Sequence, residues 1–162
     1  MKPFPRRALL LAAAAAGLAG CAHPPRVAPP DLPHWSGRLA LAVTSEPPQS
    51  FSAGFELTGD AREGELLLFS PLGSTLATLR WTPSGAVLRS GSEERSYDSL
   101  NALASEVTGT PIPVRALFDW LAGTPLAADG WQPDLSRLAE GRLLARRDTP
   151  SPSAELRLLL DR

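Results

Sequence analysis

The chain has 162 residues, 16 basic and 17 acidic side chains, a formal net charge of −1 and a single cysteine. That length suffices for one domain with one core. A charge balance so near neutrality gives no electrostatic case for nucleic acid, and one cysteine excludes an intramolecular disulfide.

In chain order, Lys2, Arg6 and Arg7 precede an apolar run over 8–19 and then small residues before Cys21, the layout of an export signal covering 1–20. The run is too short and too alanine-rich to favour a spanning helix. Without these three cations, 13 basic residues face 17 acidic ones, a net charge of −4. Leu18-Ala19-Gly20-Cys21 resembles the lipobox of bacterial lipoproteins. The resemblance implies cleavage before Cys21 and acylation of its thiol, which gives an unpaired cysteine a purpose. Each buried methylene of such an anchor contributes roughly 0.8 kcal/mol, so the three chains implied would hold the protein permanently. Ala22, where an Asp would retain such a lipoprotein, points by the same resemblance to the outer membrane. Residues 21–33 are proline-dense and have no apolar period, which predicts an extended tether. Its twelve residues after Cys21 reach about 37 Å in a polyproline-like state.

From residue 34 to 162 the pattern is that of a folded domain. Strict alternation over 35–43 and again over 49–57 predicts two half-buried strands, with Leu39, Leu41 and Val43 on one face of the first and Phe51, Phe55 and Leu57 on one face of the second. Residues 65–69 and 75–81 predict the arms of a hairpin. Its tip, Ser70-Pro71-Leu72-Gly73, suits a type I turn with Gly73 as the left-handed residue of a three-residue loop. That leaves Leu72 at an apex where polar residues are the rule. Residues 86–90 and 95–97 read as a further short hairpin, completing an antiparallel meander. Then the period changes. Leu100, Leu103, Ala104 and Val107 define a helical face with Asp98 or Ser99 as cap and Gly109 as stop. After a rigid elbow over 110–113, Val114, Leu117, Trp120 and Leu121 mark a second amphipathic helix closed by Gly123. Two short helices in such a chain must lay their apolar faces on the sheet. Strands are expected again at 135–139, 142–146 and 155–160.

Little in the sequence supports catalysis. His23 and His34 lie in or at the edge of the tether, a poor platform for a nucleophile triad. No Cys or His cluster has metal spacing, so neither a metal nor a cofactor is expected. Glu93 and Glu94 read as solvated turn charges and Gly73-Ser74-Thr75 lacks the lysine of a phosphate loop. Arg142, Arg146 and Arg147 read as a solvated strand face in preference to a lipid head-group site.

Several features occur in order: the lipobox cysteine, the tether, Trp35-Ser-Gly-Arg-Leu, Leu66-Leu-Leu-Phe-Ser-Pro-Leu-Gly-Ser-Thr, Thr108-Gly-Thr-Pro-Ile-Pro-Val and Leu117-Phe-Asp-Trp-Leu-Ala-Gly. Together they resemble the LolB family, outer-membrane receptors that take acylated lipoproteins from a soluble periplasmic carrier. The likeness implies an α+β, mainly antiparallel β fold: a half-open, curved β-barrel whose short helices cover the open side around an apolar cavity. It implies a non-enzymatic function, with acylated cargo, a periplasmic lipoprotein carrier and outer-membrane lipid as partners, and a monomer anchored facing the periplasm. It further implies that the loop Pro71, Leu72 and Gly73 projects to act on the bilayer. The expected cavity wall is Leu39, Leu41, Phe51, Phe55, Leu66, Leu68, Trp81, Leu117, Trp120 and Leu121, although strand patterning alone does not separate a hollow core from a filled one. The chain is short for the family after Gly123, and residues 148–153 interrupt its last strands, so fewer or shorter late strands are expected. Two other readings remain open on the residues alone: a non-catalytic lipoprotein docking onto an envelope complex, and a lipid-anchored hydrolase.

Overall fold

Period-two alternation turns into pleat along most of the chain. The computed structural model describes residues 32–162; the signal segment, Cys21 and the tether up to residue 31 lie outside the described residues. The strands are β1 (His34–Val43), β2 (Gln49–Gly59), β3 (Gly64–Phe69), β4 (Thr75–Thr82), β5 (Gly85–Ser90) and β6 (Glu93–Tyr97), each pairing antiparallel with the next. Two helices follow, α1 (Leu100–Thr108) and α2 (Val114–Leu121), and then β7 (Trp131–Asp134), β8 (Arg142–Arg147) and β9 (Ala154–Leu160). β9 returns antiparallel to β1, giving one nine-stranded sheet of order β6-β5-β4-β3-β2-β1-β9-β8-β7. β6 and β7 remain as edges, so the sheet is mainly antiparallel, strongly extended and open, as in a half-barrel.

α1 forms between a side-chain cap and a glycine stop. The Ser99 hydroxyl accepts from the backbone N–H of Ala102, and Gly109 ends α1 in the left-handed region at φ 65°, which glycine enters without a Cβ penalty. Pro111 and Pro113 then redirect the chain, and α2 presents Phe118 and Leu121 to the core. Both helices cover the concave face of the sheet, where the main apolar cluster gathers Leu41, Phe55, Leu68, Trp81, Leu103, Phe118, Leu121 and Leu156. The outer face carries most of the charged strand residues. Glu65 and Arg80, Arg89 and Glu94, and Arg146 and Glu155 are direct cross-strand partners and form ion pairs. Exposed pairs of this kind contribute about 0–1 kcal/mol each, so they serve solubility and register more than stability.

Two local expectations are corrected. No strand forms over 135–139: the Asp134 carboxylate accepts the Ser136 N–H at 3.0 Å and turns the chain, and Leu138–Glu140 is a single 3₁₀ turn. The strand lies earlier, at β7, where Pro133 is tolerated because β7 is a sheet edge. Nor is Arg147 solvated. It is fully buried. Strand alternation explains this, because Leu143, Ala145 and Arg147 point inward while Arg142 and Arg146 point out. The insertion over 148–153 sits between β8 and β9 and leaves β9 in full register with both neighbours.

Candidate functional site: an apolar cavity beneath two helices

Between the helices and the concave sheet lies a cavity of about 270 Å³. Its size exceeds the roughly 150 Å³ of an apolar cavity able to admit benzene. Nine of the ten side chains expected on its wall border it: Leu39 and Leu41 from β1, Phe51 and Phe55 from β2, Leu66 and Leu68 from β3, Trp81 from β4, and Leu117 and Leu121 from α2. Trp120 does not. It is fully buried, but on the shoulder of α2, where its indole N–H donates to the Leu126 carbonyl at 2.7 Å. The cavity-facing stripe of α2 is Val114, Leu117, Phe118 and Leu121, and Trp120 lies outside that i, i+3, i+4, i+7 set.

Sequence reasoning passed over other lining residues. Leu103, Ala104 and Val107 of α1 line the cavity, and their helical period, that of a sheet-facing stripe, is the signal that points to them. Leu156 and Leu158 alternate plainly in β9 but join the wall only because β9 pairs with β1. Phe118 stands between Trp35 and Trp81, with ring centroids 5.8 and 6.2 Å away, in tilted geometry. The Trp81 indole N–H donates to the Asp60 carbonyl at 2.8 Å, which fixes the ring at one end of the cavity.

The polar lining residues are few, Gln49, Ser50 and Thr108, and the Thr108 hydroxyl donates to the Ala104 carbonyl at 2.7 Å. Arg147 sits under the α1–α2 elbow. Its guanidinium donates to the Thr110 hydroxyl, to the Pro111 carbonyl at 3.3 Å and to the Pro152 carbonyl at 2.8 Å, and it lies 5.6 Å from the Trp131 ring centre. The Trp131 N–H reaches the same Pro111 carbonyl at 2.9 Å. Elbow, β7, β8 and the 148–153 loop are thereby joined at one point. Glu93 and Glu94 are exposed and paired with Arg95 and Arg89.

The hairpin tip has the expected turn. Ser70 donates its N–H to the Ser74 carbonyl at 2.9 Å, Gly73 donates to Ser70 at 2.9 Å, and Gly73 takes φ 81°. Pro71, Leu72 and Gly73 form the loop between them. Leu72 is 95% exposed, the most exposed of the large apolar side chains described.

An open antiparallel sheet wrapped on an apolar cavity, two covering helices and a projecting apolar tip can hold a hydrophobic chain and meet a hydrophobic surface. Comparison with known proteins agrees with that architecture. Residues 33–149 match the family described as outer membrane lipoprotein LolB. The outer-membrane lipoprotein LolB of Bordetella petrii is 33% identical over 94% of this chain and 90% of its own length. Its namesake in Bordetella pertussis is 38% identical over 88% and 86%, and that of Dechloromonas aromatica 34% identical over 72% and 74%. The matches span the tip, both helices and most of the sheet, and the chain belongs to the LolB family of outer-membrane lipoproteins.

Proposed function

We propose that this protein is an outer-membrane receptor that accepts acylated lipoproteins from a soluble periplasmic carrier into its cavity and inserts them into the inner leaflet of the outer membrane. The observation that carries the reading is the apolar cavity itself, bordered almost wholly by aliphatic and aromatic side chains. Acylated cargo does not leave a carrier through water, because each exposed methylene costs about 0.8 kcal/mol. Transfer from one apolar cavity to another avoids that exposure. Directionality then needs no catalysis and no cofactor: the receptor binds the chains better than the carrier does, and the bilayer binds them better than either.

Lipidation of Cys21 and a periplasm-facing anchor belong to the same proposal, as does the role of the loop Pro71, Leu72 and Gly73 at the bilayer. The nine cavity residues named above hold the chains, and Trp120 supports them from behind. The direct test mixes the purified protein, Cys21 replaced by Ser, with a carrier loaded with acylated lipoprotein. Cargo should move to the receptor and then to added liposomes. No uptake at any ratio would count decisively against cargo transfer.

A further inference from the structure

We propose that acylated cargo occupies the cavity in one orientation, with its polar, peptide-bearing end in a second cleft at one end of the sheet and its chain ends toward the hairpin tip. This rests on the lipid-binding reading above. The second cleft has a volume of about 590 Å³ and lies among the β2–β3 turn, the β4–β5 turn and the starts of α1 and α2. It shares Trp81, Leu100, Val114 and Phe118 with the apolar cavity, so the two are separated only by side chains common to both. Its remaining wall is of another character. Arg62, Asp98, Arg115 and Asp119 border it and form no ion pair among the described residues, and Asn101 adds a neutral amide.

The opposite end of the cavity carries no charged side chain among the described residues: beside Phe51 and Val107, its polar lining is the neutral Gln49, Ser50 and Thr108. Phe51 near the start of β2 and Val107 near the end of α1 line the cavity and yet are 44% and 50% exposed. The Gln49 side chain lies against Gly109, which brings the start of β2 and the end of α1 together at this mouth. β2 begins and β3 ends at the same end of the sheet, so the loop carrying Leu72 projects there. The turn at 60–63, which borders the polar cleft, joins β2 to β3 at the other end.

An acylated peptide terminus is an amphiphile whose ester, amide and peptide groups lose hydrogen bonds when they enter an apolar space. In the proposed orientation they face charged and amide side chains, and the methylenes occupy the apolar length between the cleft and Phe51. The reverse orientation drives the peptide between Phe51 and Val107, where only the neutral Gln49, Ser50 and Thr108 are polar, and presents chain ends to the charged Arg62 and Asp119. Polarity therefore selects one direction, and the chain ends stand nearest the tip when the protein meets a bilayer.

The test uses the purified protein with Cys21 replaced by Ser, in buffer without vesicles, and two synthetic dipalmitoylated lipopeptides. One carries a diazirine at the end of an acyl chain, the other on its second peptide residue. After photolysis the labelled protein residues are mapped by mass spectrometry. Peptide-borne diazirine should label Arg62, Asn101 or Arg115, and chain-borne diazirine should label Phe51 or Val107. Labelling of 49–51 by the peptide-borne group, or of one end by both probes, overturns the orientation while leaving lipid binding intact. Labelling of the protein by neither probe overturns lipid binding and the orientation together.

Discussion

Leu72 and Arg147 are the two residues whose placement most needs a cause. Burying one leucine is worth about 1.5–3 kcal/mol, far below a multi-chain acyl anchor, so Leu72 is suited to a local foothold and not to attachment. Leu72→Glu should therefore leave the denaturation midpoint within about 0.5 kcal/mol of wild type, because the site makes no core contact. Cargo uptake should persist and release into liposomes should stop; a release assay with equal rates for both proteins would remove the insertion role. Arg147 is buried with no carboxylate partner among the described residues and relies on three oxygen acceptors and the Trp131 ring. Arg147→Met strands those acceptors, and urea unfolding should report a loss of about 3 kcal/mol. Leu72 was legible from the sequence, because turn chemistry is local. The burial of Arg147 was half legible: alternation puts it opposite Arg146, but only the contact with the elbow tells which face is inside.

At the scale of elements, α1 is nine residues long and depends on its cap, since so short a helix is marginal alone. Ser99→Ala should cost about 1 kcal/mol and show as faster amide exchange in α1, with the strands β1 to β4 unaffected. The helices also offer a test of hollowness. Ala104 borders the cavity from α1. In a filled core Ala104→Phe costs about 1–3 kcal/mol by overpacking; in a hollow one the ring enters free space, stability holds, and uptake of a fluorescent acyl probe falls by about tenfold. A stability loss with unchanged uptake would contradict the cavity's role. The strands and helices were readable from their periods and caps because these depend on neighbours in the chain. The 3₁₀ turn at Leu138–Glu140 was not, since the Asp134–Ser136 hydrogen bond overrides a weak alternating pattern.

For the whole molecule, four carboxylates tie stability to pH. The backbone N–H groups of Arg62 and then Glu63 hold Asp60 below the usual carboxylate range, and Ser136 does the same for Asp134 through its side chain and then its backbone. Arg137 lowers Glu140, and Arg146, with Arg157 assisting, lowers Glu155. A folded-state value below the unfolded one gives stability that is complete above the unfolded value and is lost as pH falls through the folded value. Thermal midpoints should thus be level above about pH 5 and decline below about pH 4. Because all four groups lie at the surface, the decline should be gradual and should weaken in high salt.

The sequence by itself determined an antiparallel meander, two short helices, a hairpin tip with Gly73 in the left-handed region and an exposed leucine, and the family resemblance that the comparisons bear out. Each of those depends on residues close together in the chain or on motifs read in order. Only the tertiary structure decided that β9 closes against β1, with Gly37 opposite Leu160, so that Leu156 and Leu158 face the helices across the cavity. It also decided that Trp120 stays behind the wall, that Arg147 is inside, and that a charged cleft adjoins one end of the cavity while the other end carries no charged side chain among the described residues. The reason is physical: a void and its two ends are properties of sheet curvature and of pairings more than a hundred residues apart, and a two-residue period is the same whether the space it faces is full or empty.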